Sequence, residues 1–525
     1  MKISLPRTAG AATVFICLAV CLVTATPAPP SDLDVYVARA MKEFEVPGLA
    51  LAIVKDGQLE LAKGYGVRKL GSPEKVDEFT LFGIASNTKA FTATAIGLLA
   101  DRKKLSWDDP VQKHLPGFVL YDPYVSKEIM VRDLLCHRSG LGLGAGDLLF
   151  WPDTTRRRDE VVYLARFLRP ASGFRSRYAY NNLMFVIAGE LIHSVSGQTY
   201  DQFVTESLFQ PLEMKSTRIT NRGLPPDANL AEPHSKGWRL DGPLVPVPYT
   251  LDHTWAAAAG IRSNVLDLSR WVAAHLRRGK RPDGAGLWSD AVARELWQMH
   301  TPIRPSEPPE SLRAARSAFS GYALGWSLRD FQGHKVVSHG GSLVGMVTTV
   351  AMMPDLSLGV IILTNQEESG AYTSVFYHIL EHYLHSPSTD WISAFRSIRT
   401  ESIQKAWDAE KKETEQRNRN SRPSLAWEDY AGEYSDPWYG RVVLSLESGR
   451  LLLKMANSPA LQADLEHWQY DTFRAVFRDR TVPDAFLTFH LNPQGKVENL
   501  KMSACSTLAD FSFDYQDLDL RPVSK

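Results

Sequence analysis

The stretch Phe82-Gly83-Ile84-Ala85-Ser86-Asn87-Thr88-Lys89 opens onto an apolar run, Ala90 to Ala100, that carries almost no charge. The run reads as a buried helix with Ser86 at its start, where a hydroxyl meets the free N–H groups of the first turn. Ser86 and Lys89 are nearly one helical turn apart and so share a face. A lysine on the first turn of a buried helix is costly unless it is paired or its proton affinity falls. A lysine depressed in this way, beside a hydroxyl, activates a nucleophile. The plain alternative is a capping serine with the lysine reaching out to solvent, and Ser-x-x-Lys alone does not separate the two.

Just upstream, Asp32 to Glu45 has apolar residues at helical spacing and is broken by Val46-Pro47-Gly48. Leu49 to Val54 and Leu59 to Tyr65 are apolar runs joined by Lys55-Asp56-Gly57-Gln58, a hairpin signal. At the extreme N-terminus, Lys2 and Arg7 precede an apolar run, Ala11 to Val23, too short for a comfortable membrane span. This reads as a signal peptide over residues 1–25, cut near Ala25, and places the protein outside the cytoplasm, secreted or periplasmic. An uncleaved N-terminus serving as a membrane anchor is the alternative.

Downstream, Leu183 to Val195 and Leu266 to Leu276 read as helices. The glycine alternation Gly140-x-Gly142-x-Gly144-x-Gly146 lacks the spacing of a phosphate cradle and reads as a mobile loop near a cleft. Tyr322 to Leu328, Lys335 to Ser338, Met346 to Met353 and Leu358 to Thr364 read as strands, which suggests one sheet built from both ends of a domain. Tyr372 to His385 is helical and contains His378-Ile379-Leu380-Glu381-His382, a metallopeptidase-like spacing with no third ligand in view. Residues 386–424 form a charged, partly helical linker. From Leu425 on, short alternating runs with Gly, Asn and Pro turns read as a small antiparallel barrel.

The 525 residues carry 59 basic and 59 acidic side chains, a balance that argues against a nucleic-acid or anionic-membrane partner. Of the four cysteines, Cys17 and Cys21 go with the signal. Cys136 and Cys505 have no CxxC spacing and read as structural thiols.

Two further motifs bear on Ser86 and Lys89. In Tyr180-Asn181-Asn182 a phenol can shuttle a proton beside a cation, and an amide can both donate and accept. In His339-Gly340-Gly341-Ser342 glycines in a strand signal close approach of a ligand or another backbone, and strand N–H groups can line an oxyanion hole. The bland readings are a helix cap and a turn with a satisfied histidine. Taken in order, Ser86-x-x-Lys89, Tyr180-x-Asn182 and His339-x-Gly341 resemble the three motifs of the class C β-lactamase and penicillin-binding-protein superfamily of serine hydrolases. The resemblance spans residues 34–385. Residues 425–525 resemble, more loosely, the lipocalin-like domain found on some of these enzymes.

The resemblance implies an α/β (α+β) fold: an antiparallel sheet flanked by helices, an inserted helical subdomain and a small C-terminal antiparallel barrel. It implies that Ser86 forms an acyl-enzyme, that Lys89 and Tyr180 handle the proton, and that Asn182 holds the substrate amide. His339, Gly340, Gly341 and Ser342 border the substrate, with the oxyanion between the N–H groups of Ser86 and Ser342. No metal or cofactor is implied. True β-lactamases and DD-carboxypeptidases usually carry a lysine where this chain has His339, so the D-aminopeptidase branch is the nearer likeness. The expected activity is a peptidase on small peptides containing D-residues. The alternatives are an esterase, a β-lactamase, or a penicillin-binding receptor that deacylates slowly. A homo-oligomer assembled through the C-terminal barrel is a further expectation.

Overall fold

The computed structural model describes residues 28–221, 223–225, 227–238, 241–249 and 253–523. The expected signal peptide and anchor lie outside them. Its organising layer is an eight-stranded sheet, every neighbouring pair antiparallel. The strands are β1 (Gly48–Lys55), β2 (Gln58–Gly66), β3 (Thr301–Ile303), β4 (Ser320–Tyr322), β5 (Ser327–Phe331), β6 (His334–Leu343), β7 (Met346–Met353) and β8 (Leu358–Thr364). Their order is β2-β1-β8-β7-β6-β5-β4-β3. The N-terminal hairpin thus pairs with the last strand, with Leu49 opposite Thr364 and Lys55 opposite Leu358.

Successive side chains of a strand point to opposite faces, and here both faces are covered. Leu49, Leu51 and Ile53 join one core with Ala40 of α1 (Leu33–Glu43), while Ala50, Ala52 and Val54 join the other. That is why β1 reads as an unbroken apolar run rather than an alternating one. On the second face lie α2 (Thr88–Asp101), α3 (Leu183–Ser196) and α4 (Val265–Leu276). The first face carries α1 and α5 (Gly370–Tyr383), with Trp391 and Ile392 from the start of α6 (Trp391–Gln416). The α6 helix occupies most of the charged stretch after the sheet.

The expected strand Tyr322 to Leu328 is interrupted. Gly325 turns with φ +72°, and a Cβ there would lie 2.6 Å from the Lys89 carbonyl oxygen. The chain breaks so that this turn can pack against the first turn of α2. Val131–Leu135 forms a short 3₁₀ helix.

The C-terminal strands are β9 (Gly432–Asp436), β10 (Gly440–Glu447), β11 (Arg450–Met455), β12 (Gln462–Gln469), β13 (Thr472–Phe477), β14 (Ala485–Leu491), β15 (Val497–Ala504) and β16 (Arg521–Pro522). They form a second antiparallel sheet in the order β15-β14-β13-β12-β11-β10-β9-β16. Leu500 on β15 bridges Leu520 just before β16, so the sheet nearly closes on itself. Near-closure leaves few unpaired edges in the sheet. Cys136 is buried and Cys505 partly buried, both as thiols; burial pushes the Cys136 thiol up to about 12.

Candidate active site

Ser86 lies in a 3₁₀ turn, Ala85–Asn87, that feeds directly into α2. Ala85 has φ +48°, a strained conformation that sets the serine at a corner between the sheet and the helix. The Ser86 hydroxyl makes no capping bond to the helix. It meets the Lys89 ammonium nitrogen at 2.9 Å instead.

Lys89 is fully buried. Its Nζ has two other partners, Asn182 Oδ1 at 2.7 Å and the Ala258 carbonyl oxygen at 3.0 Å. Burial pulls its pKa down to about 7, and the charge of Asp147 pulls the other way. In the neutral amine, two N–H bonds satisfy the two carbonyl acceptors and the lone pair is left facing Ser86 Oγ. Lys89 also sits 4.9 Å from the centre of the Tyr180 ring and 5.4 Å from that of Phe185.

Tyr180 comes from the loop before α3 and lines the same cleft as Ser86. Burial drives the phenol well above its ordinary pKa, and the nearby Ser86 hydroxyl only partly offsets this. The two asparagines that follow divide the work. Asn181 accepts from the Met184 N–H at the start of α3, and its Nδ2 donates to the Ala145 carbonyl. Asn182, freed from capping, bridges Lys89 and the Asp147 carboxylate, to which its Nδ2 donates at 2.7 Å.

His339 is buried on β6. Its Nδ1 lies 2.6 Å from the Gly340 carbonyl oxygen, so it carries the hydrogen, and its Nε2 accepts from the Tyr322 hydroxyl at 2.8 Å. Burial lowers its pKa to about 3, with the Lys89 charge adding to the effect. The imidazole is neutral. Beyond it, β6 runs alongside the serine turn: pairing with β5 ends at Ser338, while pairing with β7 continues to Leu343 opposite Met346. A Cβ on Gly341 would lie 2.3 Å from the Ile84 carbonyl oxygen, so only glycine lets the strand approach. Ser86, Tyr180, Asn182 and His339 to Ser342 all line one cleft of about 590 Å³.

The cleft brings in residues that sequence reasoning missed. His137, at φ +57°, packs 4.2 Å from the Tyr180 ring and accepts from the Asn181 N–H. Trp151 and Trp255, with Phe511 and Phe513 of the C-terminal domain, give the cleft an apolar lining. No local pattern announces these contacts. The glycine loop, expected to be mobile, is pinned by buried bonds from Gly146 and Leu148 to Asp514. The His378, Glu381 and His382 side chains are taken up by Asp32, Thr389 and the Ala28 carbonyl.

The β-lactamase family model matches residues 33–384, and a domain of unknown function, DUF3471, matches residues 416–522. Among curated proteins, the unguisins hydrolase ungD' of Aspergillus campestris is 28% identical over 440 residues, covering 80% of this chain and 79% of the relative. Protein flp of Staphylococcus aureus MW2 is 26% identical over 344 residues, covering 64% and 62%. Among solved structures, the octameric penicillin-binding protein homologue from Pyrococcus abyssi superposes with a TM-score of 0.58 at 21% identity, covering 90% of this chain and 98% of that one. A class C β-lactamase from Rhodobacter sphaeroides gives 0.54 at 21% identity, covering 68% and 100%.

Proposed function

The chain belongs to the β-lactamase family of serine hydrolases, and from that membership we propose that it cleaves amide bonds in peptides, D-residue-containing ones first, through an acyl-enzyme on Ser86. The observation that carries the reading is the Lys89 amine, buried, with Ser86 Oγ at 2.9 Å and two carbonyl oxygens occupying its other directions. As Oγ attacks the carbonyl carbon, its proton passes to Nζ, a general-base step contributing on the order of 10²–10⁴-fold. Strand β6 and the serine turn flank the developing oxyanion. The high proton affinity of Tyr180 suits it to return a proton to the leaving amine rather than to start the reaction. Water then cleaves the ester and frees Ser86.

The charge of the cleft supports a substrate with no carboxylate beside the scissile bond. Among the described residues no lysine or arginine lines the cleft, Glu367 and Asp510 are its acids, and His339 is neutral. A carboxylate entering such a site finds no fixed cation among the described lining residues to offset its desolvation. The test is release of nitroaniline from D-alanine p-nitroanilide, with Ser86→Ala as the blank, followed by D-peptides as free acids and as carboxamides. Serine-dependent release, and faster cleavage of the carboxamides, are expected. Cleavage of esters alone moves the activity to an esterase. A stable adduct on Ser86 without turnover makes the protein a receptor.

A further inference from the structure

Asp147 follows the glycine loop and is fully buried. Its Oδ2 accepts from Asn182 Nδ2 at 2.7 Å and from the Ser512 hydroxyl at 2.8 Å, and its Oδ1 has no partner among the described residues. Ser512 comes from the C-terminal domain, 365 residues away in the chain. Two residues on, the Asp514 carboxylate accepts from the N–H groups on either side of Asp147, Gly146 at 2.7 Å and Leu148 at 3.0 Å. A Cβ on Gly144 would lie 2.5 Å from the Phe511 carbonyl oxygen, so the loop lies flat on this segment. The C-terminal domain therefore grips Asp147 by its backbone and by its side chain.

We propose that Asp147 is a positioning residue for Lys89, and that Ser512 and Asp514 make the C-terminal domain part of the catalytic machinery. A carboxylate only accepts, so Asp147 must face the NH₂ end of Asn182 and the amide oxygen must face Lys89. A flipped amide would present donors to the amine and remove one of the two acceptors that hold its lone pair toward Ser86. Asp147 also sets the proton affinity of Lys89 by its charge. The ionisable groups that act on the carboxyl are Lys89 from α2, Tyr180 from the loop before α3, and Asp510 and Asp514 from the C-terminal domain. Burial raises the carboxyl, and the bonds from Asn182 and Ser512 and the charge of Lys89 hold it down, toward the carboxylate.

The proposal rests on Ser86 as nucleophile, so the test reads that separately. The full-length protein is labelled with a fluorophosphonate at pH 5 to 9 and the rate is followed by intact mass. The Oγ–P bond forms, fluoride leaves, and the proton passes to Lys89. Wild type accelerates as pH rises through about 7, where Lys89 loses its proton. Asp147→Asn is expected to label on the order of ten- to a hundredfold more slowly on the plateau. Its acid limb should fall on the order of one pH unit, because the anion that favoured protonated Lys89 is gone. Ser512→Ala should shift the limb the same way by less, since a carboxyl without that donor protonates more readily. Ser512→Thr, which keeps the hydroxyl, should return the limb toward wild type. Equal slowing at every pH with an unmoved limb, or wild-type rates, overturns the proposal. A limb moved by Asp147→Asn and not by Ser512→Ala overturns the share given to the C-terminal domain. If Asp147→Asn does not fold, Ser512→Ala decides. Labelling that persists in Ser86→Ala refutes the nucleophile and not the positioning.

Discussion

Lys89 is the residue on which sequence and structure bear hardest. Its pKa in the folded protein, about 7, lies below the ordinary lysine value of 10.5. Between those values the unfolded chain holds a proton that the folded chain does not, so this group makes stability rise with pH from 7 to 10.5 and opposes folding below 7. Measured against Lys89→Met, wild type should gain in urea stability as pH goes from 7 to 10; a difference independent of pH would mean that the amine titrates near its ordinary value. Activity shares the same group, and kcat/KM should climb tenfold per pH unit below about 7 and level off above it, read on whichever substrate is turned over. Gly341 sets the other limit. A methyl group there meets the Ile84 carbonyl at 2.3 Å and the Thr348 hydroxyl at 2.5 Å. Gly341→Ala should destabilise by about 1–3 kcal/mol and slow acylation more than it weakens binding, which thermal melts and a kcat-against-KM comparison would separate.

Among the elements, α2 gives the site its rigidity. All its residues from Thr88 to Leu99 are buried, so it has no solvent face, and side chains pack around its whole circumference. Its hydroxyls are satisfied internally: Thr92 Oγ1 pairs with the Tyr200 hydroxyl at 2.8 Å and donates to the Ala257 carbonyl at 2.7 Å. Phe91 stacks on Trp271 of α4 at 3.9 Å, which ties α2 to the helix lying on the sheet. The serine turn is thereby fixed relative to β6 on the opposite side of the cleft. Truncating Ile96, fully buried two turns past Lys89, should cost about 2–5 kcal/mol of unfolding free energy. Urea denaturation of Ile96→Ala would show it, and a cost below ~1 kcal/mol would mean that the helix relaxes into the space.

At the scale of the molecule, two sheets meet around one cleft. The C-terminal domain supplies Phe511, Ser512 and Phe513 to its wall and Asp514 to the glycine loop. Both domains should therefore melt in one calorimetric transition, and Asp514→Ala, which leaves two buried N–H groups unpaired, should separate it into two. A single unchanged transition would show that other contacts carry the coupling. The motifs around Ser86, Lys89, Tyr180, Asn182 and His339, the N-terminal hairpin, the buried helices and the C-terminal barrel were all legible in the chain. The hairpin, the helices and the barrel strands are local, each following from hydrophobic period or turn residues, while the motifs took their meaning from their order along the chain. What only the tertiary structure decided is the state of those groups. The depressed lysine, the neutral histidine and the Ser512–Asp147–Asn182 link depend on desolvation and on contacts between residues hundreds of positions apart. How far one polar atom is desolvated, and which charges reach it through space, have no period along the chain, so the sequence offered the depressed lysine only as one of two readings.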